Sequence, residues 1–331
     1  MKKQRIIFRA DASKKVGYGH FIRSLALAGY LKDNFNCVFA SFNEDSECGG
    51  MTDYQLKEIG RICTPADAFG LILKDFDDAF IELLESGDIV VLDNYYYDTA
   101  YQRRIKDKGC KLVCVDDMHQ FHMVCDMVIT GCPLRREDFS LDPDTKFVGG
   151  IEWAFLREPF LTPVNVRNIP KQIKRVVMAM GGADAFCLTD KMIEIILSVM
   201  SGVELDVICG DKATVTGQYN SNIRVHRRLS ADDIVQLLDT ADIGVFPAST
   251  ICIEAFSRRL PVIAGYYVKN QYEFYEYGTS HSYFSGIGNL LDDAAEIKER
   301  LEIVLTSKPP RPVVIDFTSQ KKKIVELFKS L

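Results

Sequence analysis

One stretch near the start constrains this chain more than any other: Arg9-Ala10-Asp11-Ala12-Ser13-Lys14-Lys15-Val16-Gly17-Tyr18-Gly19-His20-Phe21-Ile22-Arg23. Ahead of it, Arg5-Ile6-Ile7-Phe8 reads as a short buried strand. Behind it, Phe21, Ile22, Leu25, Ala28 and Leu31 recur at helical spacing. The order is strand, glycine-bearing turn, helix start. Gly17 and Gly19 let the backbone turn tightly and approach a ligand closely. A helix start offers unpaired N–H groups and the positive end of a dipole, which suits phosphate. His20 stands where that helix begins. The dipole disfavours imidazolium there, so His20 is expected to be neutral near pH 7 and able to accept a proton beside an anionic ligand. The stretch is neither a Walker A loop nor a dinucleotide fingerprint, because the lysine and the third glycine are missing. A turn shaped by two glycines and a histidine capping a helix accounts for the same residues, and spacing alone does not choose.

At 331 residues the chain exceeds what one core usually serves, so two domains are expected. Pro159, Pro163 and Pro170 punctuate a stretch of little periodicity, which puts the division at 1–163 and 164–331. The net charge of −6 comes without a basic stripe, which argues against nucleic acid or an anionic membrane as partner. Any anionic ligand must therefore be met by local groups. No signal peptide and no apolar run of membrane-spanning length stands out. The ten cysteines include no Cys-x-x-Cys pair, and Cys37, Cys114 and Cys209 fall in apolar runs. Buried thiols in a cytoplasmic protein are expected, rather than disulfides or zinc.

The first half reads as alternating strands and helices. Cys37–Ala40, Ile89–Leu92, Lys111–Val115 and Met127–Ile129 are the strands, with helices around 54–59 and 77–84. The strand Ile89–Leu92 ends in Asp93-Asn94-Tyr95-Tyr96-Tyr97-Asp98. Polar side chains at the carboxyl end of a parallel strand point into a ligand crevice; a helix cap followed by surface tyrosines is the plainer reading. Asp116, Asp117, His119 and His122 lie close together, but their spacing fits no metal-ligand set. No metal is expected, and Asp116 and Asp117 read as structural or ligand-facing.

The second half opens with the same logic. Arg175–Met180 is a strand, Gly181-Gly182-Ala183-Asp184 closes it, and Leu188–Met200 is a helix. A second Rossmann-like domain follows from this. Later, Ile243–Phe246 runs into Pro247-Ala248-Ser249-Thr250-Ile251-Cys252-Ile253-Glu254. Backbone N–H groups near Ser249, Thr250 and Ile251 make a seat for a diphosphate. Glu254, about one turn into the helix, is placed to accept hydrogen bonds from ribose hydroxyls. An N-cap serine and a dipole-compensating acid describe the same residues. The tail, 294–305 and 320–331, reads as amphipathic helices.

Taken together, these strings resemble the UDP-sugar hydrolases of pseudaminic acid biosynthesis, which remove UDP from UDP-2,4-diacetamido-2,4,6-trideoxy-β-L-altrose. Arg9, Asp11, Ser13, Gly17, Gly19, His20 and Arg23 match that family's opening motif. Gly181, Gly182 and Asp184 match its Gly-Gly-x-Asp, and Val268-Lys269-Asn270-Gln271 matches its Val-Lys-Asn-Gln. The resemblance implies a GT-B-like α/β fold of two Rossmann-like domains facing across a cleft, with the last helix crossing back to the first domain. It implies a catalytic role for His20, aided by Tyr95. It puts Arg9, Asp11, Gly17, Gly19, Gly182, Asp184, Ser249, Thr250, Ile251, Glu254, Asn270 and Gln271 against a UDP-linked sugar, with no cofactor. Ile253, and the aromatics from Tyr272 to Tyr277, depart from the pattern. A GT-B glycosyltransferase using the same donor, or a nucleotide-sugar binding protein without turnover, keeps the same residues in use. The oligomeric state is not legible in the sequence.

Overall fold

The structure is a computed structural model that describes residues 3–11, 19–41, 51, 53–63, 68–70, 76–164, 167, 172–182, 184, 186–210, 213, 215–217 and 219–331. Its strands are β1 (Arg5–Ala10), β2 (Asn36–Ser41), β3 (Ala68–Gly70), β4 (Ile89–Asp93), β5 (Lys111–Val115), β6 (Met127–Thr130), β7 (Lys146–Gly149), β8 (Arg175–Ala179), β9 (Glu204–Cys209), β10 (Ile223–Arg227), β11 (Ile243–Pro247), β12 (Val262–Tyr266) and β13 (Ser285–Asn289). Its helices are α1 (Gly19–Leu31), α2 (Asp53–Ile59), α3 (Phe76–Glu82), α4 (Thr99–Asp107), α5 (Leu188–Val199), α6 (Ala231–Thr240), α7 (Thr250–Ser257), α8 (Lys269–Ser280), α9 (Ala294–Ser307) and α10 (Gln320–Lys329).

The chain divides into two units, 1–158 with 318–331, and 159–317. The first unit thus ends at Glu158 and takes back the C-terminal residues, whereas the proline pattern suggested a division at 163. Pro159 already belongs to a short 3-10 turn, Glu158–Leu161, that leads into the second unit.

The first unit holds a seven-stranded sheet in the order β3-β2-β1-β4-β5-β6-β7, parallel throughout. A parallel sheet is covered on both faces, so its central strands are apolar runs rather than alternating ones. Ile6, Ile7, Phe8, Val90 and Val91 accordingly have almost no exposed surface. On one face Ile7, Leu92, Leu112 and Val128 pack with Phe80, Tyr101 and Ile105. Tyr97 belongs to this cluster, so it is a core residue and not a surface tyrosine. Asp98 caps α4, accepting from the Tyr101 N–H at 2.8 Å.

The second unit holds a six-stranded parallel sheet in the order β10-β9-β8-β11-β12-β13. Its core gathers Val176, Met178, Leu205 and Val245 from the sheet, Met192, Ile193 and Ile196 from α5, and Leu301 from α9. Both sheets have their first strand inside, the next two stepping outward on one side and the fourth starting the other side. That order creates a switch point between β1 and β4, and another between β8 and β11, where ligands of open α/β sheets bind.

The C-terminal α10 belongs to the first unit. Ile324, Val325 and Phe328 are buried. The Gln320 side chain donates to the carbonyls of Glu152 (2.9 Å) and Ala154 (2.6 Å), and accepts from the Tyr30 hydroxyl of α1 (2.8 Å).

Candidate functional site

At the first switch point, β1 and β4 pair so that Ala10 lies opposite Asp93. Asp93 is fully buried at the carboxyl end of β4, and His20 is buried in the first turn of α1. His20 Nδ1 lies 2.7 Å from Asp93 Oδ1. Arg23, one turn further along α1, grips both Asp93 oxygens from Nε (2.9 and 2.8 Å) and adds a 2.6 Å bond from Nη2. Its Nη1 reaches Asp117 Oδ2 at 3.0 Å, and Ser24 donates to Asp93 Oδ2 at 3.1 Å. Burial pushes the Asp93 carboxyl upward, but the charges and hydrogen bonds of Arg23 and His20 outweigh it and hold the group below the ordinary carboxylate range.

A carboxylate can only accept, so Nδ1 of His20 carries the hydrogen that Asp93 receives. Arg23 Nη2 lies 3.1 Å from the same nitrogen but cannot donate to a protonated Nδ1; the shorter, charge-assisted contact to Asp93 decides the tautomer. Nε2 is left as the proton-accepting atom, and among the described residues it has no hydrogen-bond partner. The Tyr95 ring meets the imidazole edge-on, with centroids 4.4 Å apart. One guanidinium faces two carboxylates here, so a proton added to His20 brings His20, Arg23, Asp93 and Asp117 to balance.

The other expected residues of this unit take varied places. Arg9 is fully buried inside β1. Its guanidinium pairs with Asp11 and lies over the rings of Tyr97 (5.5 Å) and Phe80 (5.7 Å). Asp11, also buried, accepts from Arg9 and from the Tyr96 hydroxyl. Arg9 therefore holds Asp11 rather than offering a guanidinium at a surface. Gly19 opens α1, and a Cβ there would meet no atom within 4 Å among the described residues. Gly17 and Ser13 lie outside the described residues. Asp116 spends its two oxygens on the N–H groups of Met118 (2.9 Å) and His119 (3.1 Å).

At the second switch point the glycine turn after β8 runs through Gly181 at φ +90°, where a Cβ would press on the Tyr267 hydroxyl at 2.7 Å. Gly182 is exposed, and its carbonyl packs where a Cβ of Gly210 would stand. Asp184 is buried and accepts from the backbone N–H groups of Leu188 (2.7 Å) and Thr189 (3.1 Å), so its carboxylate fastens the start of α5. Ser249 occupies the N-cap position of α7 but makes no side-chain cap; its hydroxyl donates to the Pro247 carbonyl at 3.3 Å instead. Thr250 is exposed, Ile251 is half-buried, and Glu254 is buried one turn in. Gln271 turns back to accept from the Tyr267 N–H at 2.9 Å, while Asn270 is exposed in the first turn of α8. The tyrosines that follow pack on one another and on Phe284: Tyr266 meets Tyr272 at 5.1 Å and Tyr275 at 4.9 Å.

The sequence marked His20 but not its partner. Asp93 lies 73 positions away, and only the adjacency of β1 and β4 joins them. The available signal was a polar residue ending the most apolar strand. Arg23 was visible in the motif, but not its two carboxylates.

Comparison with known proteins agrees with this architecture. Three solved structures share the fold along their length. S. aureus MnaA solved with UDP has a TM-score of 0.64 at 12% identity, over 100% of this chain and 96% of that one. Methanocaldococcus jannaschii UDP-GlcNAc 2-epimerase in complex with UDP-GlcNAc and UDP gives 0.59 at 12% identity, over 100% of both chains. The calicheamicin glycosyltransferase CalG4 gives 0.56 at 14% identity, over 100% and 95%. The chain has the GT-B fold of two Rossmann-like units. An uncharacterized protein of Methanocaldococcus jannaschii is 23% identical over 290 residues, 82% of this chain. The chain spans 57% of that relative's length. No family model matches.

Proposed function

We propose that this chain hydrolyses a UDP-linked 2,4-diacetamido-2,4,6-trideoxy hexose, releasing UDP, as in pseudaminic acid biosynthesis. The observation that carries the reading is the 2.7 Å contact between His20 Nδ1 and the buried Asp93. It orients the ring and leaves Nε2 as the base. In the reaction Nε2 takes a proton from water. The water oxygen forms a bond to the anomeric carbon, the carbon–oxygen bond to the diphosphate breaks, and UDP leaves with the electron pair. The imidazolium so formed completes the charge balance with Arg23, Asp93 and Asp117. Tyr95, against the imidazole, fixes its plane.

The reading gives UDP to the second switch point. The N–H groups at the start of α7, near Ser249, Thr250 and Ile251, face the diphosphate, and Glu254 takes the ribose hydroxyls. The Ser249 hydroxyl is turned to Pro247, which leaves these N–H groups without a side-chain cap from Ser249. Gly182 and Asn270, both exposed, complete the seat. Asp184 and Gln271 act through the backbone they hold, and Arg9 acts through Asp11. A donor of this kind fits the GT-B fold, whose neighbours include structures solved with UDP.

The test is UDP release from UDP-2,4-diacetamido-2,4,6-trideoxy-β-L-altrose with no acceptor, for wild type and His20→Ala. Release is expected in wild type and lost by at least 10²-fold in the variant, with UDP affinity by calorimetry unchanged. Release that persists in His20→Ala removes the mechanism. Release only after a hydroxyl acceptor is added makes the chain a glycosyltransferase with the same base. Tight binding with neither reaction makes it a binding protein.

A further inference from the structure

Of the acidic and imidazole groups that follow β5, Asp117 is joined to Arg23, and Asp116 to the backbone of its own loop. His122 goes elsewhere and meets two residues of the segment that leads into β7. The Ser140 hydroxyl lies 2.8 Å from His122 Nδ1, and Asp142 Oδ1 lies 3.0 Å from His122 Nε2. A carboxylate can only accept, so Nε2 carries the hydrogen of the neutral ring and Nδ1 is the acceptor. The Ser140 hydroxyl therefore donates to Nδ1. A hydroxyl held on a base, and the base held on a carboxylate, is the connectivity of a serine nucleophile. The two ring nitrogens are exchanged relative to the serine protease arrangement, and either can take a proton.

The backbone holds the three residues in register. Met123, next to His122, forms a parallel bridge with Leu141, which stands between Ser140 and Asp142. Met123 donates its N–H to the Ser140 carbonyl at 2.8 Å, and its carbonyl accepts from the Asp142 N–H at 3.0 Å. The Thr99 hydroxyl donates to the His122 carbonyl at 2.6 Å, and the Asp142 carbonyl accepts from the Thr145 N–H at 3.1 Å. Met123 and Phe139 are buried, whereas Ser140 is exposed. Acyl transfer also needs a donor for the developing oxyanion. The Ser140 N–H has no hydrogen-bond partner among the described residues, and a nucleophile's own N–H is one half of the oxyanion hole of serine proteases. A missing second donor costs about 10²–10³ in kcat. The His122 and Asp142 side chains are 41% and 48% exposed, so water also screens the pair. Such a site acts slowly, on an acyl group that is already activated and small enough to need no pocket.

We propose that Ser140 is a nucleophile toward small activated carboxylic esters, with His122 as its base and Asp142 as the residue that positions the base. Ser140 Oγ forms a bond to the acyl carbon while its proton passes to His122 Nδ1. The bond from that carbon to the leaving alcohol breaks, and the alcohol departs with the electron pair and takes the proton. Water then attacks the acyl-Ser140, His122 takes its proton, the carboxylic acid leaves, and the Ser140 oxygen regains a hydrogen. None of the residues proposed for UDP or for the His20 reaction takes part, so this activity stands or falls apart from the sugar-nucleotide reading.

The full chain is treated with an alkyl fluorophosphonate, from which a serine oxygen displaces fluoride, and the adduct is located by peptide mass spectrometry. Wild type is expected to carry the phosphonate on Ser140. With p-nitrophenyl acetate it is expected to release p-nitrophenolate and to carry an acetyl group on the same residue. Ser140→Ala loses both adducts. His122→Ala is expected to slow labelling about 10²-fold, the low end for a general base, because the ring is partly exposed. Asp142→Ala is expected to slow it by less, and Asp142→Glu to restore it in part, because the carboxylate acts only by orienting the ring. Ser140 left unlabelled in wild type, labelling at an unchanged rate in His122→Ala, or labelling that persists in urea overturns the proposal and leaves the three side chains as a surface tie between two loops. Equal rates in Asp142→Ala and Asp142→Glu overturn the role of Asp142.

Discussion

The Asp93 carboxylate has no exposed surface and serves His20, Arg23 and Ser24 at once. A charge so buried persists only because a guanidinium and an imidazole N–H surround it. Asp93→Asn keeps the shape and removes the charge. The amide nitrogen in place of one oxygen turns a donor toward His20 or Arg23, so the imidazole loses the acceptor that fixes its tautomer. Turnover is expected to fall about 10²–10⁴-fold, with UDP affinity unchanged. Stability is expected to fall by about 3 kcal/mol, at the low end for a broken buried pair, because Arg23 keeps Asp117 and reaches solvent. Steady-state UDP release and denaturant unfolding measure the two effects. A stability loss with normal turnover would make the cluster structural. At this scale the sequence was informative where chemistry is local and blind where it is not. His20 after two glycines is a local pattern. Asp11 is also in the local pattern, but of the two groups that hold it, Tyr96 comes from 85 positions away and was not visible there. Asn94 next to Tyr95 carries no periodic signal, and only the folded chain shows that its amide donor has no hydrogen-bond partner among the described residues.

Elements were legible in proportion to their apolar contrast. The continuous runs Ile89–Leu92, Lys111–Val115 and Ile243–Phe246 became central strands, because a strand buried on both faces needs such a run. The edge strands β3, β7 and β13 and the polar helix α8 escaped, since an edge or a half-exposed element is not obliged to be apolar. The amphipathic face of α10 was plain, whereas its docking depends on one amide. Gln320 satisfies two buried carbonyls and the Tyr30 hydroxyl, which also accepts from the Leu156 N–H at 3.0 Å. Gln320→Ala strips this donor from both carbonyls and leaves a void, while the Tyr30 hydroxyl keeps the Leu156 backbone as partner. A loss of about 2–4 kcal/mol is expected, against about 1 kcal/mol or less for Lys322→Ala on the exposed side of the same helix. Urea midpoints of the two variants provide the comparison. Equal small losses would mean that α10 is held by its apolar face alone.

At the scale of the whole molecule, two units with separate cores give two independent reports of acid stability. In each, a carboxylate is held below its ordinary range. For Asp93, burial opposes and Arg23 and His20 prevail; for Asp206, burial opposes and hydrogen bonds from Arg224 and His226 prevail. The sign follows from linkage. A carboxyl lowered in the folded state binds its proton more weakly there than in the unfolded chain. Its contribution is complete above the unfolded value of about 3.9 and disappears as pH falls through the folded value. Asp206→Asn is therefore expected to destabilise near pH 7 and to match wild type once pH is below the folded value. The size is about 1 kcal/mol, because Arg224 is 41% exposed and water screens the pair. The chain's single tryptophan, Trp153, lies in the first unit, so its fluorescence follows that unit, while far-UV circular dichroism follows both. If the units unfold separately, Asp206→Asn lowers the dichroism midpoint at pH 7 and leaves the Trp153 midpoint in place, and Asp93→Asn moves the Trp153 midpoint. We expect that outcome from the separate cores. A Trp153 midpoint that moves equally with Asp206→Asn would mean that the two units melt as one, and each carboxylate would then guard the whole chain against acid.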